Sequence, residues 1–394
     1  MRFAASQNSD PDFRTSVDRA CRDIRTQLGD TTPDLLFCFV MAEHREQAGQ
    51  LPELIRSTVG ARHVVGCTVE GVAGTSEEIE SGPALSMWAA SLPDVPLAPF
   101  HAQFERTPDG LMCTGLPPAD SLGWKPAAAF LLADPFSTSI DSIIGTLSHE
   151  FPGAPLLGGM ASGARGIGEN RLLLDDREYQ QGGVGILVGP GVSIRSIVSQ
   201  GCRPVGRPYV VTRSEQNVLH ELGGKAAMLR LQEVFDEVSE RDRQLISQGP
   251  HVGLARNEYQ ESFDRGDFLI SNIIGGDRSS GALAIGNPIR TGQTVQFHVR
   301  DATTADEDLR TLLQDALQNG PPAQGALLFT CNGRGTRVFA EPHHDVQMIQ
   351  ELAGPIPLAG FFAQGEFGPI SGENHIHGFT ASVALFSEPE ANDR

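Results

Sequence analysis

The sequence contains only two lysines, Lys125 and Lys225, and its formal net charge is −19. A surface this negative repels a phosphate backbone, so we expect no binding of nucleic acid. The chain also lacks an apolar run of the roughly 18 residues that a membrane span needs. Its first residues have no apolar core of a secretory signal. The sequence therefore predicts a cytoplasmic protein without a membrane span.

Cysteine spacing and short motifs give no sign of an ordinary catalytic centre. The six cysteines are scattered without the CxxC spacing of a zinc site or a disulfide framework. A P-loop, a dinucleotide fingerprint, HExxH, GxSxG and an EF-hand loop are all absent from the sequence. We therefore predict no catalytic residues and no metal site. A cysteine-dependent enzyme is the low-ranking alternative, and it needs a histidine close in space to Cys67, Cys202 or Cys331.

A strand–helix–strand pattern occurs three times in the chain. In each copy a buried apolar strand precedes an amphipathic helix, and a second strand then ends in a Gly-x-x-x-polar-Gly turn. The three turns are residues 66–71, 158–163 and 360–365. A helical crossover favours parallel strands, whereas the strand-like sequence after each copy predicts antiparallel meanders. A diverged fourth copy is expected around residues 268–275.

The length of 394 residues and the 40% hydrophobic content predict two globular domains. We expect an α/β (mixed α+β) fold of duplicated β-α-β plus β-meander units, with mixed sheets flanked by helices. An α-β-β-α layering is one arrangement of these elements. The predicted parts are an N-terminal helix at 1–30, a first domain at 31–221, a second at 222–387 and an acidic tail at 388–394. Residues 239–266 are predicted to form a polar, mobile connection.

The glycine turns are the strongest internal signal of a binding site. Glycine after a buried strand allows positive φ and close approach of a ligand to the backbone. In open α/β sheets, ligands favour the carboxyl ends of strands. The polar residue at the same offset in each turn is Glu70, Ser162 or Gln364. Plain packing of strands and helices is an equally weighted alternative for these glycines.

Two further strand ends carry candidate binding side chains. Asn332 and Arg334 follow a buried strand, and the Arg334 guanidinium is suited to a ligand carboxylate. A hairpin turn with an exposed arginine is the alternative. Phe361 and Phe362 are adjacent aromatic residues on a turn, which need a lid, a ligand or a partner. Their burial around a cavity would favour a ligand sensor, and their exposure on a convex surface a protein scaffold.

His375 and His377 are two residues apart, so they share one face of a strand. Such a pair is suited to a metal, and a single histidine is suited to the axial position of haem. Histidines that are satisfied within the fold are the more frequent outcome. The sequence therefore predicts no cofactor, with haem as the alternative.

Several motifs resemble the FIST family, named for F-box and intracellular signal-transduction proteins. In the first half they are Gly66-Cys67-Thr68, Gly158-Gly159, Gly183-Val184, Gly201-Cys202-Arg203-Pro204 and Leu222-Gly223-Gly224. In the second half they are Phe268-Leu269-Ile270 with Asn272, residues 292–302, Asn332-Gly333-Arg334-Gly335, Gly360-Phe361-Phe362, Gly365-Glu366 with Gly368-Pro369, and His377-Gly378-Phe379-Thr380. The resemblance spans nearly the whole chain.

The resemblance implies a sensory module that binds a small ligand, such as an amino acid or another carboxylate. Because no output domain is recognisable in the sequence, the ligand state would pass to a separate signalling protein. Some relatives are described as haem-binding sensors of nitric oxide, and F-box relatives act as interaction scaffolds. Both remain alternatives to a non-catalytic small-ligand sensor.

The family offers no agreed set of binding residues, so the predicted site combines family-like motifs with suitable chemistry. The predicted ligand-binding residues are Gly66, Cys67, Thr68, Gly158, Gly159, Ser162, Arg203, Asn272, Asn332, Arg334, Gly360, Phe361, Phe362, Gln364, Glu366 and His377.

Overall fold

The computed structural model describes residues 1–108, 110–257, 263 and 267–389. These residues form two compact units. Unit 1 contains Met1–Val198, Arg310–Ile376 and Thr380–Arg394, and unit 2 contains Ser199–Leu309 and His377–Phe379. Within the described ranges, no helix is both long and apolar enough to cross a membrane. The predicted division of the sequence at residues 221 and 222 stays a prediction.

Strands and helices alternate along the chain. Up to residue 198 the elements are β1 (Arg2–Asn8), α1 (Phe13–Leu28), β2 (Leu35–Met41), α2 (Leu51–Thr58), β3 (His63–Val69), β4 (Val72–Ala73), β5 (Glu78–Ile79), β6 (Leu85–Ser91), β7 (Leu97–Thr107), β8 (Gly110–Thr114), α3 (Ala119–Leu122), β9 (Ala128–Ala133), α4 (Ile140–Glu150), β10 (Leu156–Met160), β11 (Leu172–Leu174), β12 (Arg177–Tyr179), β13 (Gly183–Val188) and β14 (Ser193–Ser199). The later elements are β15 (Cys202–Glu215), β16 (Val218–Leu222), β17 (Lys225–Ala226), α5 (Ala227–Glu237), α6 (Glu240–Gln248), β18 (His251–Ala255), β19 (Phe268–Asp277), β20 (Ala282–Ile285), β21 (Thr294–Arg300), α7 (Ala302–Gln318), β22 (Gly325–Cys331), α8 (His344–Ala353), β23 (Leu358–Ala363), β24 (Glu366–Ile370), β25 (Glu373–His377) and β26 (Ala381–Ser387). Short 3-10 helices span Ala42–Gln50 and Gly335–Arg337.

The three predicted strand–helix–strand units all form, and all three lie in unit 1. Each pairs its two strands in parallel: β2 with β3, β9 with β10, and β22 with β23. Antiparallel strands complete the sheets, in the orders β1-β6-β2-β3-β11-β12, β25-β24-β10-β9-β13-β7-β8 and β14-β26-β22-β23-β4-β5. The prediction of mixed sheets with helical crossovers is confirmed.

The sheets of unit 1 share one aromatic core. Phe37 and Phe39 of β2 contact Phe130 of β9 and Phe361 of β23, at ring-centroid distances of 5.4 and 4.9 Å. All four rings are fully buried, and each stabilises the unit by roughly 1.5–3 kcal/mol through removal of apolar surface from water. The continuous apolar run of β2 is explained by this packing, because helices cover its other face.

Helices form the outer layers of unit 1. Helix α1 begins at the Asp12 cap, whose side chain accepts a hydrogen bond from the Thr15 amide, and ends at Gly29. Its apolar side, with that of α2, packs on Leu36, Cys38 and other residues of the first sheet. Helix α4 covers the outer face of the second sheet. Helices thus flank the first and second sheets, as we expected.

Unit 2 is built on one sheet with the order β15-β21-β18-β19-β20-β16-β17. Helices α5 and α6 pack on its apolar face. Its strand pairs are antiparallel, so the expected fourth strand–helix–strand copy at residues 268–275 is wrong: β19 pairs with β18 and β20 as part of a meander.

The predicted mobile connection at residues 239–266 is also wrong where the structure describes it. Helix α6 begins at the Ser239 cap and buries Ile246, and β18 follows it as a buried inner strand. Polar residues on one side of a short amphipathic helix resemble linker composition, which explains the error. Residues 258–262 and 264–266 lie outside the described residues, as do 390–394 of the predicted tail.

Candidate functional site

A cleft of about 790 Å³ lies in unit 1 where the glycine turns end. Its lining combines four carboxylates, two guanidinium groups, two amides, two hydroxyls and one aromatic ring. The lining residues are Ala42, Glu43, Arg45, Glu70, Glu80, Ser81, Phe136, Ser162, Gly163, Ala164, Arg165, Glu169, Asn332 and Gln364. The polar residue of every glycine turn is among them, so the structure brings Glu70, Ser162 and Gln364 to one place.

Hydrogen bonds tie the three turns directly to one another. The Ser162 hydroxyl accepts from the Glu70 amide at 2.8 Å and donates to the Phe362 carbonyl. The Gln364 amide donates to the Met160 carbonyl at 3.1 Å, which joins the second and third turns again. A single serine side chain therefore links the first and third turns.

Asn332 belongs to the same cleft although it follows a different strand. Its backbone N–H donates to the Ala363 carbonyl at 2.8 Å, and its side-chain Nδ2 donates to Glu70 Oε2 at 3.2 Å.

The Gln364 side chain is exposed on the cleft. The side-chain amide of Gln364 is therefore available to a ligand, while its backbone N–H keeps the bond to Met160.

The first glycine of each turn has a packing role. A Cβ atom built on it would collide with the carbonyl oxygen of its partner on the adjacent parallel strand. The distances are 2.4 Å for Gly66 against Cys38, 2.0 Å for Gly158 against Leu131 and 1.8 Å for Gly360 against Leu328. Gly159 is similarly confined, with a Cβ 2.8 Å from the Ala363 side chain. The repeated glycine thus lets the two parallel strands approach, which is the packing alternative.

Arg334 binds a carboxylate of the protein itself. Its guanidinium donates to Asp345 through Nε at 2.9 Å and through Nη2 at 2.7 Å, and both side chains are 2% exposed. The Thr330 hydroxyl and the His344 ring also contact Asp345, at 2.7 and 3.0 Å. Burial opposes ionisation of Asp345, but the Arg334 charge and these bonds hold its pKa well below the ordinary value. Arg334 does not line the cleft.

Two buried glutamates flank this ion pair. Burial raises the pKa of Glu78 to about 8, with repulsion from Asp345 as the next cause. Burial also raises the pKa of Glu366 to about 8, against hydrogen bonds from the Thr380 amide and hydroxyl that lower it. Both carboxyl groups are therefore largely protonated at neutral pH. Glu366 is fully buried and does not line the cleft.

Phe361 and Phe362 form no exposed patch, because both side chains are buried. Phe361 lies in the shared aromatic core of unit 1, where its ring contacts Phe329 at 5.6 Å. Phe362 packs against Gly71 next to the cleft. The two adjacent aromatics on the turn alternate in direction along β23, which buries one ring on each side of the strand.

Cys67 and Thr68 are also buried. Cys67 lies in the aromatic core, where burial raises the pKa of its thiol well above the ordinary value. The Thr68 hydroxyl accepts from the Arg171 amide at 2.9 Å and donates to Asn170 at 3.3 Å. These two predicted residues support the structure beneath the cleft.

Three predicted residues belong to unit 2. Arg203 ion-pairs with Asp301 at 2.9 Å and with Asp242. Asn272 is exposed on β19, and His377 is buried in the short segment that unit 2 takes from the C-terminal part of the chain. None of the three is among the residues that line the cleft of unit 1.

Sequence reasoning missed several residues of the cleft. Glu43 and Arg45 come from the 3-10 helix after β2, and Glu80 follows β5. Nothing in the local sequence marks Glu43 or Arg45, since surface charges on a short helix are common. Glu80 had a usable signal, because Glu78 and Glu80 follow within ten residues of Glu70, the polar residue of the first glycine turn.

Comparisons with known proteins agree with the sequence motifs. A family model described as FIST N domain matches residues 34–225, and one described as FIST C domain matches residues 227–369. "Uncharacterized protein Rv0628c" of Mycobacterium tuberculosis is 40% identical over 391 residues, which is 98% of this chain and 100% of the relative. "Uncharacterized protein Mb0898c" of Mycobacterium bovis is 38% identical over 390 residues, with 98% and 99% covered. This chain therefore belongs to the FIST family, whose domains are sensory domains of signal transduction.

Proposed function

We propose that this protein is a non-catalytic sensor that binds a small molecule in the cleft of unit 1. The observation that carries the proposal is the convergence of three glycine turns on one cavity of about 790 Å³. A volume of this size lies within the range of small-molecule sites. The ligand state would be relayed to a separate signalling protein.

The charges of the lining favour a ligand that carries both signs. Arg45 and Arg165 offer guanidinium groups, and Glu43 and Glu169 offer carboxylates. The Arg45 guanidinium is held in place by a hydrogen bond of 2.7 Å to the Gly163 carbonyl. An amino acid, with its carboxylate and ammonium groups, matches this lining.

The cysteine chemistry supports a non-catalytic role. Burial raises the pKa of Cys67, one of the three candidate nucleophiles, well above the ordinary value. It also raises the pKa of Cys21 and Cys38 to about 12 and that of Cys113 to about 11. Because the thiolate is the reactive form, these thiols are poor nucleophiles at neutral pH. The described residues that line the cleft include no histidine, cysteine, methionine or tyrosine, so the cleft offers haem no axial ligand.

The proposal is tested by a thermal-shift screen of amino acids and related metabolites, followed by titration calorimetry of the best ligand. Gln364→Ala removes an exposed side-chain amide of the cleft and keeps the backbone hydrogen bond to Met160. We expect it to weaken binding about 5- to 10-fold, the value of one net hydrogen bond. Gln180→Ala is the matched control, since Gln180 is exposed on a different cleft of unit 1. Equal binding to Gln364→Ala and wild type, or loss of binding in Gln180→Ala, would place the ligand elsewhere.

A further inference from the structure

A small recess of about 10 Å³ adjoins the cleft. The two share Glu70, Glu80 and Asn332, but the recess is also lined by an arginine that does not line the cleft. The recess residues are Glu70, Gly71, Glu80, Asn332, Arg337 and Phe362. The recess is thus an acidic end of the site, next to a guanidinium that belongs to the protein.

Arg337 is held in the recess by groups that a ligand would use. Its guanidinium ion-pairs with Glu70 Oε1 and donates to the Asn332 carbonyl. The arginine side chain is 56% exposed and that of Glu70 is 38% exposed, so water and salt screen the pair. A contact of this kind is weak enough for a competing cation to replace.

The second glutamate fixes the chain segment that carries Arg337. Glu80 accepts from the Thr336 amide and from the Thr336 hydroxyl, both at 2.9 Å. Two other residues of the recess, Gly71 and Phe362, pack closely, since a Cβ atom on Gly71 would lie 2.9 Å from the Phe362 ring. The backbone around the recess is therefore well supported, and the Arg337 side chain is its most exposed part.

We propose that Arg337 is an autoinhibitory plug that occupies the place of the ligand's cationic head, a guanidinium or primary ammonium group. The inference rests on the proposed function of the cleft and specifies the chemistry and regulation of that site. On binding, the ligand cation takes the Glu70 carboxylate and the Asn332 carbonyl from Arg337, whose side chain turns outward. The released arginine changes the charge presented at the mouth of the cleft.

The cost of displacing Arg337 sets the expected size of the effect. A cationic ligand must first break one exposed ion pair and one hydrogen bond of Arg337. This cost should reduce its apparent affinity for the cleft about 3- to 10-fold. Removal of the Arg337 side chain should raise the affinity for any ligand with a cationic head by the same factor. It should leave the affinity for an anion such as succinate unchanged or lower.

The test measures binding of agmatine, which carries a guanidinium and an amine but no carboxylate, by titration calorimetry at fixed ionic strength. Arg337→Ala is expected to bind agmatine 3- to 10-fold more tightly than wild type. Arg177→Ala is the matched control, because it removes the same charge from an exposed arginine of unit 1 that lines neither the cleft nor the recess. Equal gains in the two variants would reduce the effect to net charge and overturn the proposal, as would no gain in Arg337→Ala.

A second pair of variants protects the test against a folding defect. Arg337→Gln keeps a donor for the Asn332 carbonyl and should show a gain in the same direction. Adding Glu70→Gln to Arg337→Ala should abolish the gain, since the carboxylate that the cation needs is lost. Failure of the proposed function has a different signature: the metabolite screen finds no ligand for wild type, although Arg337→Ala binds agmatine.

Discussion

Replacement of Asp345 by asparagine tests how unit 1 holds its buried arginine. The variant keeps the size of the side chain but leaves the buried Arg334 charge without its bidentate partner. Breaking a buried ion pair from one side costs about 3–5 kcal/mol, because an uncompensated charge stays buried. We expect Asp345→Asn to lower the free energy of unfolding of unit 1 by about that amount.

Pairing of Arg334 with Glu78 should reduce the loss of unfolding free energy in Asp345→Asn. In wild type its carboxyl group is kept protonated by burial and by the Asp345 charge. In Asp345→Asn that repulsion is gone and the attraction of Arg334 remains, so the pKa of Glu78 should fall and the group should take over part of the pairing. The destabilisation should therefore be smaller at pH 9 than at pH 6.

Tryptophan fluorescence during urea unfolding is the assay, because both tryptophans, Trp88 and Trp124, belong to unit 1. Glu351→Gln is the control: it breaks the exposed pair with Arg310 and should cost at most about 1 kcal/mol. The double variant Arg334→Met with Asp345→Asn should be less destabilised than the sum of its parts, by about 2 kcal/mol or more. A loss in Asp345→Asn no larger than in the control, or strict additivity, would refute the reasoning.

Three further predictions concern buried groups and close strand contacts. The pKa of Glu366 is about 8 in the folded chain against an ordinary 4.5, so between these pH values the folded state holds a proton that the unfolded state releases. Stability should therefore fall as pH rises from 4.5 to 8. Urea midpoints should show this slope, and Glu366→Gln should make it shallower. His251 has the opposite sign: burial lowers its pKa from 6.5 to about 3, so unit 2 should lose stability as pH falls below 6.5. Hydrogen exchange in β18 should show this as lower protection factors, after correction for the pH dependence of the intrinsic exchange rate. Gly360→Ala places a Cβ 1.8 Å from the Leu328 carbonyl oxygen and should destabilise unit 1 by more than about 2 kcal/mol. Gly145→Ala, in open space on α4, should instead stabilise unit 1 by up to about 1 kcal/mol. Equal urea midpoints for the two variants would contradict the packing role of Gly360.

Hydrophobic patterns predicted the local elements of unit 1 well. The apolar run of β2 and the Phe13–Leu28 helix were recognised because burial on both faces, or on one helical face, leaves a clear period in the sequence. Pairing of strands in parallel followed from the helical crossovers. The antiparallel sheet of unit 2 was not recognised, because a glycine after an apolar strand is equally consistent with a meander.

The cleft was predictable only where the repeat marked it. The repeated offset of Glu70, Ser162 and Gln364 marked the three glycine turns as candidate binding elements. It did not show that the turns meet, because they follow strands of three different sheets. The partner of Arg334 was not predicted, since Asp345 lies across a loop and belongs to a helix that the sequence does not connect to it. A charged side chain alone does not tell whether it faces a ligand or another residue.

The position of β26 has a consequence for biosynthesis. This strand is formed by residues 381–387, yet it lies between β14 and β22 inside a sheet of unit 1. The sheet that holds the third glycine turn therefore stays incomplete until the ribosome has synthesised residues 381–387. Until then β22 exposes an unpaired edge, which is a template for aggregation. A nascent chain that stalls before residue 381 should depend on chaperones, however well its first two hundred residues have folded.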